Sequence, residues 1–545
     1  MLFSTSVRSL PQQFDLVLGS FLQKPGLPFA DVLPEEAIQA AFEEEGAAFG
    51  QEDDAVYTPA ITLWTFVSQV FFKEEQRSCA GAVARLIVLL VSLGRKPCSD
   101  NTGAFCRARA KLPEAAFRRL VYQVADGCED AQPDEWRWKS RRTYLVDGCT
   151  VSMPDTPENQ AVYPQPNTQQ PGLGFPLARL VVMLSLATAM VSGLAIGPYS
   201  GKETGESALF RQLFDRLRKG DVVVADCYFC SYFMICLLRE QGVDLVARLH
   251  HKRTADFRRG QWLGPGDHVV EWPRPARPAW MDEETYARMP ASLRIREVEV
   301  AVAQPGFRVE VFVVATTLLD ADEYTRDDLA NLYRQRWSAE LDIRAIKCSL
   351  GMDVLRCKSP EMVRKEIWAS LLAYNLIRQT MLQAAYASGR TPRCMEPEPV
   401  AADGARAAAC ESSSSPCCAD GEVARTADTC AAACESNSSP RCLEKKTSPA
   451  AALCLEMAES VSSPRQLSFT AALQKLAAGW VVAPSLTTSA ADELRWATYK
   501  HMLKHRVGNR PDRVEPRAIK RRPKSHKLLT QPRAEARRAS SSRVK

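Results

Sequence analysis

Residues 143–153 read TYLVDGCTVSM, an apolar strand with one acid, Asp147, at its middle. Residues 221–226 read DVVVAD, a second apolar run that ends on Asp226. A carboxylate within or at the end of a buried strand is costly to desolvate unless it is paired or meets a cation. Two such acids on strands of one sheet can converge on a common point, and all-oxygen clusters are what Mg2+ or Mn2+ prefer. Taken singly, each Asp fits a capping or salt-bridged residue equally well.

Between these strands lies Leu180–Gly197 (LVVMLSLATAMVSGLAIG), 18 residues without a charge. That is the lower limit of a membrane span. Ala, Thr, Ser and Gly interrupt it midway, so it reads as two buried strands joined by a tight turn near Ala189–Ser192, with no membrane partner. The spacing then predicts helices over Glu206–Leu217 and Ser231–Glu240 and a strand over Val243–Leu249. Three early strands followed by alternating helix and strand describe a mixed α/β sheet. Residues 251–318 break the rhythm with Pro, Arg and Trp and with alternating segments at Ile295–Val302 and Val309–Thr316, as a β-rich insertion would. Helical periodicity resumes near Arg326 and runs, with breaks, to Tyr386. The unit therefore divides into a first part, 140–250, the insertion, 251–318, and a second part, 319–388.

The second part carries a third acid. Tyr333, Arg336, Glu340 and Lys347 follow the spacing Y-x2-R-x3-E-x6-K. Steps of three, four and seven return to one face of a helix, so these four side chains are expected on one stripe. Arg336 and Lys347 can grip phosphates, Tyr333 can hydrogen-bond one, and Glu340 can complete a metal site. A solvated face laced with ion pairs is the plainer alternative, and the acid-bearing strands upstream weigh against it.

Residues 1–130 show helical spacing at Ala60–Phe72, Ala82–Leu93 and Leu112–Val124. Ser99–Pro113 reads as a loop presenting Arg107, Arg109 and Lys111, which suits DNA contact, although an exposed protein surface explains the same composition. At the other end, residues 506–545 carry fourteen Lys or Arg against three acids (Asp512, Glu515 and Glu535), a bias that favours a polyanion. Residues 390–465 repeat AAACESSSSPCC (Ala407–Cys418) as AAACESNSSPRC (Ala431–Cys442) and hold eight of the eighteen cysteines. Such a composition cannot bury a core and reads as a low-complexity, disordered insert. Short helices at Ser468–Leu476 and Ala490–His505 lead into the basic tail, closing a final region, 466–545.

Several features point elsewhere only weakly. His501 and His505 lack the Glu of a zinc-helix motif, and Cys227 with Cys230 forms a lone CxxC best read as packed thiols. No Walker or dinucleotide fingerprint is present, which speaks against a nucleotide cofactor. The first residues lack a signal-peptide core, so a reducing cytoplasm is expected.

The strand acids and the four-residue signature together resemble the bacterial insertion-sequence transposases of the DDE type, in the group marked by YREK (the IS-four family, with its Tn-five-like members). The resemblance runs over most of residues 1–385 and resumes in the C-terminal tail. It implies an RNase H-like α/β core with a β-strand insertion, preceded by a helical DNA-binding domain and followed by a helical and disordered C-terminal region. It implies Asp147, Asp226 and Glu340 as catalytic residues and ligands of two Mg2+ or Mn2+ ions, with Tyr333, Arg336 and Lys347 contacting DNA. The expected partners are double-stranded DNA, both terminal inverted repeats and target, and a second copy of the chain across paired ends. The expected reaction is cut-and-paste transposition, with end cleavage and strand transfer at one site. Related enzymes pass through a DNA hairpin, for which Trp262, Trp272 or Trp280 could hold an end base. Two features depart from the family: Cys227 stands where relatives often place Arg, and the insert at 390–465 is unlike family sequence. An RNase H-like nuclease and an inactive, DNA-binding descendant of a transposase are the alternatives.

Overall fold

A computed structural model describes residues 33–387 with short gaps, the longest at 303–309, followed by 467–479, 486–505 and the isolated positions 535 and 538. The repetitive stretch at 390–465 and nearly all of the basic tail lie outside the described residues.

The chain opens with helices α1 (Glu35–Glu44) and α2 (Pro59–Phe71). Thr58 starts α2 by accepting the Ile61 amide, and Pro59 fills the first turn, where its missing N–H removes no helical bond. α3 (Cys79–Ser92), α4 (Gly103–Lys111) and α5 (Glu114–Asp130) follow. α4 corrects the sequence expectation of a loop over Ser99–Pro113. Its Ala, Arg and Lys residues are strong helix formers. Phe105, Ala108 and Leu112 bury on one face of the segment, a short apolar stripe masked by the basic residues between them.

The middle of the chain supplies β1 (Thr143–Ser152), α6 (Pro157–Val162), β2 (Leu177–Ser185), β3 (Val191–Pro198), α7 (Glu206–Arg211), β4 (Val222–Ala225), α8 (Tyr232–Glu240) and β5 (Asp244–Arg248). The uncharged run at 180–197 is the β2–β3 hairpin. Its turn falls at 186–190, slightly before the expected position, with Ala189 at φ +63°. Among the described residues, no helix is long and apolar enough to cross a membrane.

β6 (Gln261–Gly264), β7 (Asp267–Pro273), α9 (Glu283–Arg288), β8 (Ser292–Val302) and β9 (Glu310–Thr316) come next. All nine strands join one sheet in the order β3-β2-β1-β4-β5-β9-β8-β7-β6. β1, β4 and β5 run parallel, while β2 is antiparallel to both β1 and β3. The order 3-2-1-4-5 with β2 reversed is the RNase H-like arrangement. β9 docks antiparallel on β5, so the later strands lengthen the same sheet.

Helices α10 (Arg326–Arg334) and α11 (Arg336–Arg344), a π-helical turn (Ala345–Ser349) and the long α12 (Pro360–Ala387) complete the core, with α13 (Phe469–Gly479) and α14 (Thr488–Lys504) packed on α12. Both faces of the sheet are covered, which explains why its central strands read as continuous apolar runs. One core joins Leu145, Val151 and Val182 to α2, α5 and α12, and the other joins Tyr144, Val146 and Val223 to α7 and α8. Asn375 of α12 staples the first core: its amide donates to the carbonyls of Val121 (3.1 Å) and Val191 (3.0 Å) and accepts the Val191 amide (2.9 Å).

Candidate active site

β4 is short. It pairs with β1 only over Thr143–Leu145, and β1 next meets a neighbour on that side at Ser152, which bridges to Val354. The sheet therefore has a notch alongside residues 146–151 of β1, just beyond the end of β4. Asp147 stands in the notch, and Asp226 is the residue immediately after β4.

Alternation along β1 puts Asp147 on the face shared with Leu145 and Val151, against which α11 packs. Gly148 faces the other side, toward α7. The Gly148 amide donates to Asp147 Oδ1 (2.8 Å), and the Tyr228 amide donates to Asp226 Oδ1 (2.8 Å). From α11, Arg336 donates to Glu340 Oε1 (2.8 Å) and reaches to 3.9 Å from Asp147 Oδ2. One guanidinium thus bridges the strand acid and the helix acid. The Nε of Arg336 is buried without a hydrogen-bond partner, a donor left over for some other acceptor.

Electrostatics follow the crowding. Burial pushes the Asp147 carboxyl up to about 6, and the negative charges of Asp226 and Glu340 add to the rise against the pull of Gly148 and Arg336. Burial likewise lifts the Tyr333 phenol to about 12, with Arg336 and Arg248 opposing and Asp226 adding. Burial raises the Cys227 thiol as well, as does the adjacent Asp226 charge.

The YREK residues do not form the single straight stripe that their spacing suggests. α10 ends at Arg334 and Gln335 turns the chain, so Tyr333 and Arg336 lie on successive helices. Lys347 sits in the π-helical turn, which adds a residue and changes the register. The four still gather near the notch. Tyr333 is buried edge-on to Phe312 (5.1 Å), and its hydroxyl shares a field with Arg336 and Asp226. Lys347 lies near enough to lower the otherwise buried, raised Cys149 thiol on β1. α11 is oriented by Ala339 and Ile343 in the core and by a buried ion pair between Asp342 and Arg378 of α12 (2.5 Å), which leaves Glu340 facing out.

Other candidates separate. Arg107 and Lys111 are exposed on α4, whereas Arg109 is half-buried over Phe66 (4.8 Å) and donates to Gln69 Oε1 (3.2 Å), a packing role. Trp272 is buried and donates to Glu297 (2.9 Å), and Trp280 lies beneath the Arg211 guanidinium (3.9 Å). Trp262, 68% exposed on outermost β6, is the one open ring of the three. His501 and His505 stack on each other at 4.1 Å, and Cys230 is a buried thiol.

Two residues near the notch carry no signal in the sequence motifs. Arg248, at the end of β5, brings positive charge toward Cys227 and Tyr333. Glu206, first in α7, lies against Gly148. The one hint of Glu206 in the sequence is a glycine directly after a strand acid, a place where a backbone can be approached closely. Among the described residues, no three His, Cys, Asp or Glu side chains stand close enough together to hold an ion.

Strand acids at the break of an RNase H-like sheet, facing a helix acid and two arginines, make a phosphoryl-transfer site the natural comparison. The family model of the transposase DDE domain matches residues 138–376, which span all the strands and the whole signature. This central part of the chain is thus similar to transposase DDE domains. The chain is 27% identical over 382 residues to the transposase InsG of insertion sequence element IS4 from Escherichia coli (strain K12), across 69% of this chain and 81% of that one. A shorter stretch of 65 residues is 43% identical to the transposase of insertion sequence element IS421 from Escherichia coli, covering 12% of this chain and 18% of that protein. Among solved structures, a piggyBac transposase synaptic complex with hairpin DNA aligns with a TM-score of 0.37 and 11% identity over 67% of this chain and 76% of its own.

Proposed function

We propose that this chain is an insertion-sequence transposase that moves its element by cut-and-paste, with Asp147, Asp226 and Glu340 as metal ligands and catalytic residues at the notch. The observation that carries the proposal is the position of the acids. One lies on β1 and one just after β4 at the break in the ladder, the third comes from the facing helix, and one guanidinium is shared by Asp147 and Glu340. The donor chemistry fits a hard divalent cation: every candidate ligand is a carboxylate oxygen, and Asp147 is raised first by burial and then by its like-charged neighbours. When bound, two Mg2+ or Mn2+ ions would activate the attacking water or 3′-hydroxyl and stabilise the leaving oxygen.

The remaining work falls to the chain itself. Arg336 can turn its partnerless Nε and its fork from the two acids to a phosphate oxygen, freeing the carboxylates. Lys347 and Arg248 flank the notch and can hold the strand backbone, and exposed Arg107 and Lys111 can follow the duplex. The substrate is double-stranded DNA, as terminal inverted repeats and as target, bound by two copies of the chain on paired ends.

Labelled end DNA incubated with the protein and Mg2+ or Mn2+ tests this proposal. Cleavage followed by joining to a target is the expected result. Cleavage without joining would make it a nuclease, and a gel shift without cleavage would make it a DNA-binding relic.

A further inference from the structure

We propose that the exposed ring of Tyr228 is a stacking platform for an unpaired nucleobase of the element's end DNA, beside the phosphate that is cut. The inference rests on the reading of Asp147, Asp226 and Glu340 given above.

Geometry carries it. Tyr228 comes two residues after Asp226, and its own amide is the donor that holds Asp226 Oδ1 (2.8 Å). Its carbonyl accepts the Ser207 hydroxyl of α7 (3.1 Å), so the backbone is pinned on both sides. The side chain is left open: its ring is 60% exposed, although the two residues that follow, Phe229 and Cys230, are buried. The ring is still positioned. His250 and His251, stacked on each other at 4.2 Å, meet it at 6.3 and 6.2 Å and at steep angles. Other rings are occupied or distant. Tyr333 is buried against Phe312, and Trp337 has the Arg336 guanidinium 5.8 Å from its ring. Trp262 is open, but β6 stands five places along the sheet from β4, about 24 Å away. A base stacks on an aromatic ring whatever its identity, while cations alongside take the phosphates. Exposed Lys252, next to the paired histidines, supplies one such cation. The rival role is a tyrosine that only closes the turn after β4. That turn is made by backbone atoms and the Asp226 carboxylate, and needs no aromatic ring.

The test is photocrosslinking of the full-length protein to end DNA that carries iododeoxyuridine at single positions on either side of the cut. It is run in EDTA, so no turnover enters the reading. A crosslink to Tyr228 from a flanking position is expected, and its absence from every position overturns the proposal. A crosslink to Tyr228 from target DNA alone overturns it too. Tyr228→Leu keeps the bulk of the side chain without its π face. It should lower single-turnover end cleavage about tenfold with an unchanged melting midpoint, while Tyr228→Phe cleaves as wild type. An equal loss in Tyr228→Phe assigns the role to the hydroxyl and overturns the proposal. Glu340→Gln separates it from the reading beneath. If that variant loses cleavage while Tyr228→Leu cleaves as wild type, the Tyr228 proposal fails alone. If both cleave as wild type, the site reading fails.

Discussion

Charged side chains crowd at two places on this sheet and end in opposite states. On the outer half, Arg296 of β8 is fully buried, with its fork on both oxygens of Asp267 (2.9 and 2.6 Å) and a further bond to the Tyr324 carbonyl (2.6 Å). Beside it, Glu297 accepts Trp272 Nε1 (2.9 Å) and meets His268 Nε2 (3.1 Å). At the notch, by contrast, the Arg336 guanidinium is shared by Asp147 and Glu340, and the charge of Asp226 adds to the rise of the Asp147 carboxyl. In the first group each carboxylate is taken up by buried donors, so it can only hold strands together. The second holds acids that no bidentate partner closes off, and such open carboxylates are how a site for a cation is distinguished from a structural ion pair.

The largest expected effect breaks the comparison directly. Glu340→Gln should lower end cleavage by about 10³-fold or more, with end binding changed only a few-fold. Single-turnover cleavage of labelled end DNA, beside a gel shift, reads both quantities. Cleavage near the wild-type rate would mean that the open acids at the notch are incidental.

The outer half should respond in the reverse way. Asp267→Asn strands a buried guanidinium, and breaking such a pair costs about 3–5 kcal/mol. Urea unfolding should show that loss, while cleavage per folded molecule stays at the wild-type level. A fall in specific activity without a fall in stability would erase the division between the two regions.

The same division explains which features are legible in the amino-acid sequence. Strand acids stand out because apolar neighbours frame them, so Asp147 and Asp226 are legible, as are the strands that carry them. The YREK spacing is legible as a set, but its geometry is not. A turn at Gln335 and a π-helical register at Lys347 are decided by how α10 and α11 pack, and periodicity assumes one straight helix. The helix Gly103–Lys111 reads as a loop because its few buried apolar residues sit in a run dominated by arginine and lysine. Glu206 and Arg248 are hidden for a different reason: each is ordinary in its own segment and gains meaning only when β1, β4 and β5 lie side by side.

The cations around the notch sharpen the comparison at intermediate size. Lys347→Ala and Arg248→Ala should each weaken end binding and reduce the slope of log affinity against log salt by about 1, as expected for the loss of one phosphate contact. Arg109→Ala, a change at a packed guanidinium, should leave that slope alone. Titrations of end DNA at several salt concentrations give the three slopes. Equal slopes in all of them would remove Lys347 and Arg248 from the DNA path.

Glu129 is the smallest test, because it belongs to neither group: a lone buried carboxylate beneath the β2–β3 hairpin, bonded by the Ser185 hydroxyl (2.5 Å). Burial raises its pKa above the usual carboxylate range, more than Ser185, Arg137 and Arg142 lower it. A carboxyl raised in the folded state holds its proton more tightly there than in the unfolded chain. Its contribution to stability is therefore complete below the ordinary Glu range and is lost as pH climbs through the raised value. Glu129→Gln keeps a group that can bond Ser185 and removes the titration. Urea midpoints should then favour the variant at pH 8 and converge with wild type near pH 4. Parallel curves at both pH values would show that Glu129 has its countercharge after all, and would move it into the company of Asp267 and Glu297.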